Sequence, residues 1–278
     1  MTNGNHRHGR LDLLVLALCA VFLAACLGAV GTTGRERAKR AVCLSNLKVL
    51  TQAWRQFADD HDGQLVNGMA GIDRFSGGKL DKAWVGQCWH SSYFAGEQLD
   101  EAIQKQEIRR GALWPYLQDL NLYRCPSGYP GEMLTYAIVD SMYGMSRSGT
   151  WSGGGGARVG DTVLWIQNFN EIITPGPAER MVFIDYGCVT IDSFAVLYLQ
   201  ERWWEGPPVH HNDGTTVSFA DGHVAYWQWK GTETIEAGRS NSLHASSWLQ
   251  PETQEGREDL HRLQRAVWGR LGYEVTEP

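Results

Sequence analysis

Residues 11–30 read LDLLVLALCAVFLAACLGAV, and residues 35–63 read RERAKRAVCLSNLKVLTQAWRQFADDHDG. Asp12 is the only charged residue of the first stretch. An α-helix of this length covers about 30 Å, the thickness of the hydrocarbon core of a bilayer. The first stretch therefore predicts a transmembrane helix.

The second stretch contains no proline, and its apolar residues recur at intervals of four and three positions. This spacing places them on one face of a helix, with polar residues on the other face. Gly63 is a typical helix stop. The stretch therefore predicts an amphipathic helix whose apolar face packs on a globular head. The predicted face consists of Cys43, Leu47, Leu50, Trp54 and Phe57.

The charge of the chain is divided unevenly along its length. The 278 residues carry a net charge of −6, and residues 1–60 contribute +4 of it, which leaves −10 for the rest. The acidic body argues against nucleic acid as a partner, and 43% hydrophobic residues exclude a disordered chain. We predict a basic tail at 1–10, a transmembrane helix at 11–30, an amphipathic helix at 31–62 and an extracytoplasmic head at 63–278.

The apolar N-terminal stretch has two other interpretations. It resembles the apolar region of a cleaved secretory signal, with Arg7 and Arg10 as the basic region before it. Leu23-Ala24-Ala25-Cys26 also fits the short lipobox pattern of lipoproteins, in which Cys26 is lipidated. A retained helix remains the preferred interpretation, because the amphipathic helix follows it closely.

Residues 215–229, TTVSFADGHVAYWQW, predict a β-hairpin. Alternating residues flank Asp221-Gly222, a two-residue turn signal. This turn places Phe219 opposite Val224 and Val217 opposite Tyr226, and we assign these four side chains to the core.

The same region contains His211, nine further residues, and then Asp221-Gly222-His223. A strand of six residues between His211 and Asp221 spans roughly 20 Å, which is too far for a catalytic pair. We therefore predict a structural role for this motif and no catalytic residue. No metal is predicted either, and the best candidates for ligands are Asp185, Asp221 and His223.

Four cysteines lie beyond the apolar stretch: Cys43, Cys88, Cys125 and Cys188. An even number in an oxidising compartment predicts disulfides, for which three pairings exist. Four reduced, buried cysteines are the alternative. No CxxC-like spacing indicates a zinc site.

Several blocks of the chain resemble bacterial type IV pilins and pseudopilins, in particular the prepilin-type proteins with the H-X9-DG motif. One departure is the cleavage site, because Gly9 is followed by Arg10 and Leu11 where the family has Phe or Met and then Thr. The matching blocks are Cys43-Leu44-Ser45-Asn46-Leu47-Lys48, residues 57–63, residues 111–117, Arg124-Cys125-Pro126-Ser127, and His211 with Asp221-Gly222.

The resemblance implies an α+β, pilin-like fold, in which a long N-terminal helix packs on an antiparallel sheet with a C-terminal helix. It implies a non-enzymatic surface or type II secretion-associated structural protein in the inner membrane, with its head in the periplasm or outside the cell. The bilayer and other pilin-like subunits are the implied partners. A disulfide between Cys43 and Cys125 is also implied. No cofactor is predicted, although some pseudopilins bind calcium in a loop of the head, so a calcium site stays open by analogy.

Two other functions stay open at this point. A lipoprotein anchored through Cys26 could bind a ligand through its head, and the aromatic residues between Trp84 and Phe94 suit a glycan. A secreted metal-dependent enzyme is the second alternative.

Overall fold

The computed structural model describes residues 13–22, 31–93, 96–146, 157–240 and 249–275. Within these ranges the fold is α+β, with six α-helices and several small sheets. The helices are residues 13–22 (α1), Thr32–Asp60 (α2), Glu101–Arg110 (α3), Trp114–Leu117 (α4), Thr232–Ser240 (α5) and Gln254–Trp268 (α6). The strands are Asn67–Ala70 (β1), Arg74–Ser76 (β2), Lys79–Asp81 (β3), Ala83–Val85 (β4), Tyr136–Ile138 (β5), Arg158–Val159 (β6), Thr162–Val163 (β7), Met181–Asp185 (β8), Gly214–Phe219 (β9) and Val224–Gln228 (β10).

The predicted transmembrane helix is wrong. Within the described residues α1 covers residues 13–22, and these ten helical residues rise about 15 Å, half of the hydrocarbon core. Across the described ranges, no helix combines the length and the apolar character that crossing a membrane requires. The pilin-like fold with a long apolar N-terminal helix is therefore contradicted, and so is the single-pass location in the inner membrane. Residues 11, 12 and 23–30, with Cys26, lie outside the described residues.

The predicted amphipathic helix is α2. Its apolar stripe faces the core, and Cys43, Leu47, Leu50 and Trp54 are fully buried, whereas Phe57 is partly buried. The helix ends at Asp60, and Gly63 follows it with a φ of +81°. A side chain at position 63 would collide with the amide of Asn168, which explains why the chain turns away at a glycine.

The main sheet has four antiparallel strands in the order β10-β9-β8-β5, and α2 packs against it. Strand β9 is buried along its whole length, because both of its faces are covered. The Thr51 hydroxyl on α2 donates a hydrogen bond to Ser218 Oγ on β9 at 2.7 Å. A separate two-stranded sheet pairs β1 with β4 in parallel, and β2-β3 and β6-β7 are short hairpins.

The predicted hairpin is present, but its predicted register is wrong by one residue. Val224 lies opposite Ser218, and Tyr226 lies opposite Thr216. The reason is a loop of three residues, 220–222, in which Gly222 has a φ of +94°. The extra loop residue turns Tyr226 and Val224 towards the α2 side, and both are only partly buried.

Candidate metal centre

Four side chains from distant parts of the chain meet in the core. Cys43 lies on α2, Cys125 follows the short 3-10 helix Leu120–Tyr123, Asp185 ends β8, and His211 precedes β9. All four are buried, with exposed fractions between 0% and 3%. Their sulfur, nitrogen and oxygen donor atoms all lie within 4.8 Å of one another. We refer to these four residues as the buried cluster.

Cys125 is held beside α2 by the backbone that leads to it. The Asn46 amide group, one turn after Cys43 on α2, donates to the carbonyl oxygens of Asn121 and Arg124, each at 3.1 Å. The Cys125 N–H donates to Thr135 Oγ1 at 2.7 Å. Because Asn46 lies three residues after Cys43 on the same helix, its hydrogen bonds hold the Cys125 loop next to the Cys43 sulfur.

His211 enters the cluster through an unusual turn. His211, Asn212 and Asp213 have φ values of +55°, +64° and +58°, and the turn is closed by paired hydrogen bonds between His210 and Gly214. Asn and Asp tolerate this left-handed conformation better than most residues. Residues 212–214, Asn-Asp-Gly, form this turn, and the turn directs the imidazole inward.

The distances within the cluster approach those of a tetrahedral metal site. The Cys125 Sγ to His211 Nε2 distance is 3.1 Å, and Cys43 Sγ and His211 Nε2 lie 3.1 Å and 3.4 Å from Asp185 Oδ2. Ligands bonded to one zinc ion at about 2.0–2.3 Å lie about 3.3–3.8 Å from one another. For these three pairs of donors, the distances differ from the zinc values by only a few tenths of an ångström.

The surrounding groups direct hydrogen-bond donors at the cluster. The Tyr136 hydroxyl donates to Cys43 Sγ at 3.3 Å, and the Thr216 hydroxyl lies 2.8 Å from the same sulfur. The Ser127 N–H donates to Cys125 Sγ at 3.3 Å, and the Gly187 N–H donates to Asp185 Oδ1 at 3.1 Å. Donors of this kind stabilise negative charge on thiolates and carboxylates, which is the form in which they bind a metal.

The second nitrogen of His211 faces the rim of the cluster. His211 Nδ1 lies 3.4 Å from Ser127 Oγ and 3.9 Å from Glu36 Oε2, and the Ser127 hydroxyl donates to Glu36 Oε2 at 3.3 Å. Glu36 is partly exposed and forms an ion pair with Lys39. Metal-bound histidines commonly have a carboxylate near the nitrogen that does not bind the metal. Glu36 occupies this position.

Burial and ion pairing shift the pKa values of the cluster side chains in opposite directions. Burial raises the pKa of the Cys43 thiol well above its ordinary value. Burial, the largest single cause, opposes the charged forms of His211 and Asp185, but their hydrogen bonds and charge interactions with each other, with Cys125 and, for Asp185, with His210 together outweigh it, so the pKa of His211 rises to about 9 and that of Asp185 falls. Without a metal, the cluster therefore contains a buried ion pair beside a neutral Cys43 thiol.

Cys125, His211 and Asp185 do not form a catalytic triad. In such a triad the acid binds the imidazole nitrogen that faces away from the nucleophile. Here Asp185 and Cys125 both contact Nε2. Cys125 is also fully buried, which leaves a substrate no access to its sulfur.

The structure separates the residues of the H-X9-DG motif. His211 belongs to the buried cluster, while Asp221, Gly222 and His223 lie at the other end of β9. There Asp221 Oδ1 accepts hydrogen bonds from the His223 N–H at 3.0 Å and pairs with its ring Nδ1 at 2.6 Å. Of the three metal-ligand candidates, Asp185 lies in the cluster, and Asp221 and His223 do not contact it.

Cys43 and Cys125, the pair for which a disulfide was predicted, are free thiols here and share the cluster. Cys88 and Cys188 are also buried free thiols. The absence of CxxC spacing was a poor guide, because the cluster draws each donor from a different segment. Two features of the sequence were partial signals of the buried cluster. They are the Cys43–Asn46 spacing and the turn after His211.

Comparison of the chain with protein-family models, with curated proteins and with solved structures gave no match. The resemblance to prepilin-type proteins therefore stays a prediction, and the buried cluster is the feature from which a function is argued.

Proposed function

We propose that this chain is a non-enzymatic structural protein whose core is cross-linked by one buried zinc ion. The observation that supports this proposal is the convergence of four potential ligands, Cys43, Cys125, Asp185 and His211, within 4.8 Å in the core. An ion at this place would join α2, the Cys125 loop, β8 and the turn before β9.

The types of donor favour zinc over calcium or magnesium. Two thiolates, one imidazole and one carboxylate match the ligands that zinc binds in tetrahedral sites. Calcium requires about six to eight oxygen ligands, and the cluster offers a single carboxylate. The calcium site that the family analogy leaves open therefore has no support at this cluster.

The closure of the cluster favours a structural role over a catalytic one. Catalytic zinc sites keep one coordination position open for water or substrate, whereas structural sites use four protein ligands. The cluster supplies four donors, and all four residues are buried. This arrangement disfavours the alternative of a secreted metal-dependent enzyme.

The metal content of the full chain tests the proposal. After purification under reductant and incubation with zinc, elemental analysis should find one zinc per chain. The Cys125→Ser and His211→Ala variants should lose it, whereas Cys188→Ser and His223→Ala should retain it. The last two are matched controls, since Cys188 is a buried thiol and His223 a histidine outside the cluster.

A second measurement remains informative if the ligand variants do not fold. The wild-type chain, stripped of metal and titrated with cobalt, should develop thiolate-to-cobalt charge-transfer absorption with tetrahedral d–d bands. A wild-type chain that binds neither zinc nor cobalt would refute the proposal, as would ligand variants with unchanged metal content.

The exposed surface of α1 supports a second candidate function, a structural subunit that associates with other copies of itself. Its large apolar side chains are 57–70% exposed, although the rest of the fold encloses an extensive core. Packing of α1 against α1 of other copies would remove these side chains from water. They are Leu13, Leu14, Val15, Leu16, Leu18, Val21 and Phe22.

Light scattering on the full chain tests this association. The double variant Leu14→Glu/Leu18→Glu should shift the mass towards that of a single chain, because charge on one face of α1 opposes apolar packing. Phe75→Glu is the control, since Phe75 is 77% exposed on β2 and lies outside α1. An unchanged mass for the α1 variant contradicts the association.

A further inference from the structure

Two of the four donors in the buried cluster are thiols, and this gives the cluster a second chemistry. Cys43 Sγ and Cys125 Sγ lie within 4.8 Å of each other. A disulfide requires an S–S bond of about 2.05 Å. The backbone at Cys125 is held by the Asn46 and Thr135 hydrogen bonds, so rotation of the two cysteine side chains, not movement of the loop, brings the sulfurs together.

We propose that the buried cluster has two mutually exclusive states: a metal-bound state in which Cys43 and Cys125 are ligands, and a metal-free state in which a disulfide joins them. This inference rests on the proposed zinc site. Both states cross-link α2 to the Cys125 loop, and they differ in whether β8 and the turn before β9 are included.

The charges left in the core allow the disulfide state. Oxidation removes both sulfurs as ionisable groups, and Asp185 and His211 remain as a pair 3.4 Å apart. Asp185 also keeps the hydrogen bond from the Gly187 N–H. A buried charge is tolerated when it is paired and hydrogen-bonded. The core can therefore lose the metal and form the disulfide without leaving an isolated charge.

We take hydrogen peroxide as the oxidant, because it is small enough to approach a buried sulfur, and the reaction with it balances. The Cys125 sulfur attacks the O–O bond, which breaks as an S–O bond forms, and the released hydroxide takes the thiol proton and leaves as water. His211 Nε2, 3.1 Å from this sulfur, can relay that proton. The Cys43 sulfur then attacks the Cys125 sulfur, the S–S bond forms, and the S–O bond breaks with release of a second water. Two thiols and one peroxide give one disulfide and two waters.

We infer that peroxide approaches the cluster from the side on which Glu36 and Ser127 lie. The Glu36 side chain is 28% exposed, and Ser127 contacts both Glu36 and the inner His211. A bound metal slows the reaction, because each sulfur then donates one lone pair to the cation and becomes a weaker nucleophile. Occupancy of the metal site therefore controls the oxidation of this cysteine pair.

The test uses the full chain in two forms, loaded with zinc or stripped by a chelator under reductant and then freed of both reagents. Each form is treated with hydrogen peroxide, alkylated, and analysed by peptide mass spectrometry. The stripped form should lose two hydrogen atoms and yield a cross-linked peptide pair containing Cys43 and Cys125. The zinc-loaded form should react at least about tenfold more slowly. A Cys88→Ser/Cys188→Ser variant should behave like wild type.

Three outcomes overturn the inference, and they are distinguishable. Equal oxidation rates with zinc retained would refute the exclusivity of the two states while leaving the zinc site intact. A stripped chain that binds zinc again but forms no Cys43–Cys125 link would refute the disulfide state alone. A wild-type chain that takes up no zinc, measured by elemental analysis before oxidation, would refute the zinc site and this inference with it.

Discussion

The two hydroxyl groups that contact Cys43 should set the zinc affinity of the buried cluster. Thr216 Oγ1 lies 2.8 Å from Cys43 Sγ, and the Tyr136 hydroxyl lies 3.3 Å from it. We predict that Thr216→Val and Tyr136→Phe each weaken zinc binding while leaving the four ligands in place. Both substitutions nearly preserve side-chain shape, so they remove a hydrogen-bond donor without opening a large cavity.

The two distances give different expected magnitudes. A hydrogen bond to a charged group contributes about 1.5–3 kcal/mol. The shorter contact should lie near the upper end, so Thr216→Val should cost about 3 kcal/mol, or roughly 100-fold in affinity. The longer contact should lie near the lower end, so Tyr136→Phe should cost about 1.5 kcal/mol, or roughly tenfold.

Competition for zinc between the protein and a chromophoric chelator measures these affinities. Tyr123→Phe is the matched control, because Tyr123 is fully buried and its hydroxyl has no hydrogen-bond partner among the residues that the structure describes. Its affinity should stay within about twofold of wild type. If Thr216→Val and Tyr136→Phe behave like this control, the hydroxyl groups do not stabilise a metal-bound thiolate, and the reasoning fails.

Three further predictions concern the stability of the fold. Arg180 is fully buried and donates hydrogen bonds to the carbonyl oxygens of Val163, Leu164 and Val267 at 2.8, 3.3 and 3.0 Å. Arg180→Met leaves these oxygens without their donor, so it should lower the free energy of unfolding by about 3 kcal/mol in a denaturant titration. A loss below about 1 kcal/mol contradicts this prediction. Gly222→Val should cost about 1–2 kcal/mol because φ there is +94°, whereas Gly176→Ala, at a negative φ with open space around it, should be nearly neutral. Although burial opposes its charged form, hydrogen bonds from the His223 N–H and ring hold the pKa of Asp221 below its ordinary value of 3.8, so its carboxylate stabilises the fold above that value. Asp221→Asn should therefore unfold at lower denaturant than wild type near pH 5, with the difference vanishing as the pH falls through the lowered pKa of Asp221; a difference that persists in acid would show that the carboxylate charge is not responsible.

Local sequence signals predicted the elements whose residues are close in the chain. The stripe of α2 follows from periodicity, because burial of one helix face is recorded in the spacing of apolar residues, and the C-terminal helix that the resemblance implies is α6. The hairpin of β9 and β10 follows from Asp221-Gly222. Its register does not, because the left-handed Gly222 fits loops of two or of three residues equally well.

The buried cluster could not be predicted in the same way. Its residues come from four segments, and their proximity depends on the packing of α2 against the sheet and on the two Asn46 hydrogen bonds. The sequence motif pairs His211 with Asp221, yet the carboxylate that contacts His211 in the structure is that of Asp185. At the N-terminus, hydropathy alone suggested a spanning helix of twenty residues, and helical structure is described for only ten of them.

The dispersion of the cluster along the chain has a consequence for biosynthesis. Cys43 and Cys125 leave the ribosome before Asp185 and His211, and His211 follows Cys125 by about 86 residues, or about 4–17 s of synthesis at about 5–20 residues per second. During that interval the two thiols exist without the two ligands that would complete a zinc site. The order of translation therefore exposes the cysteine pair to oxidants before it can bind zinc, and a cell that needs the zinc form must keep the nascent chain reduced until His211 has emerged.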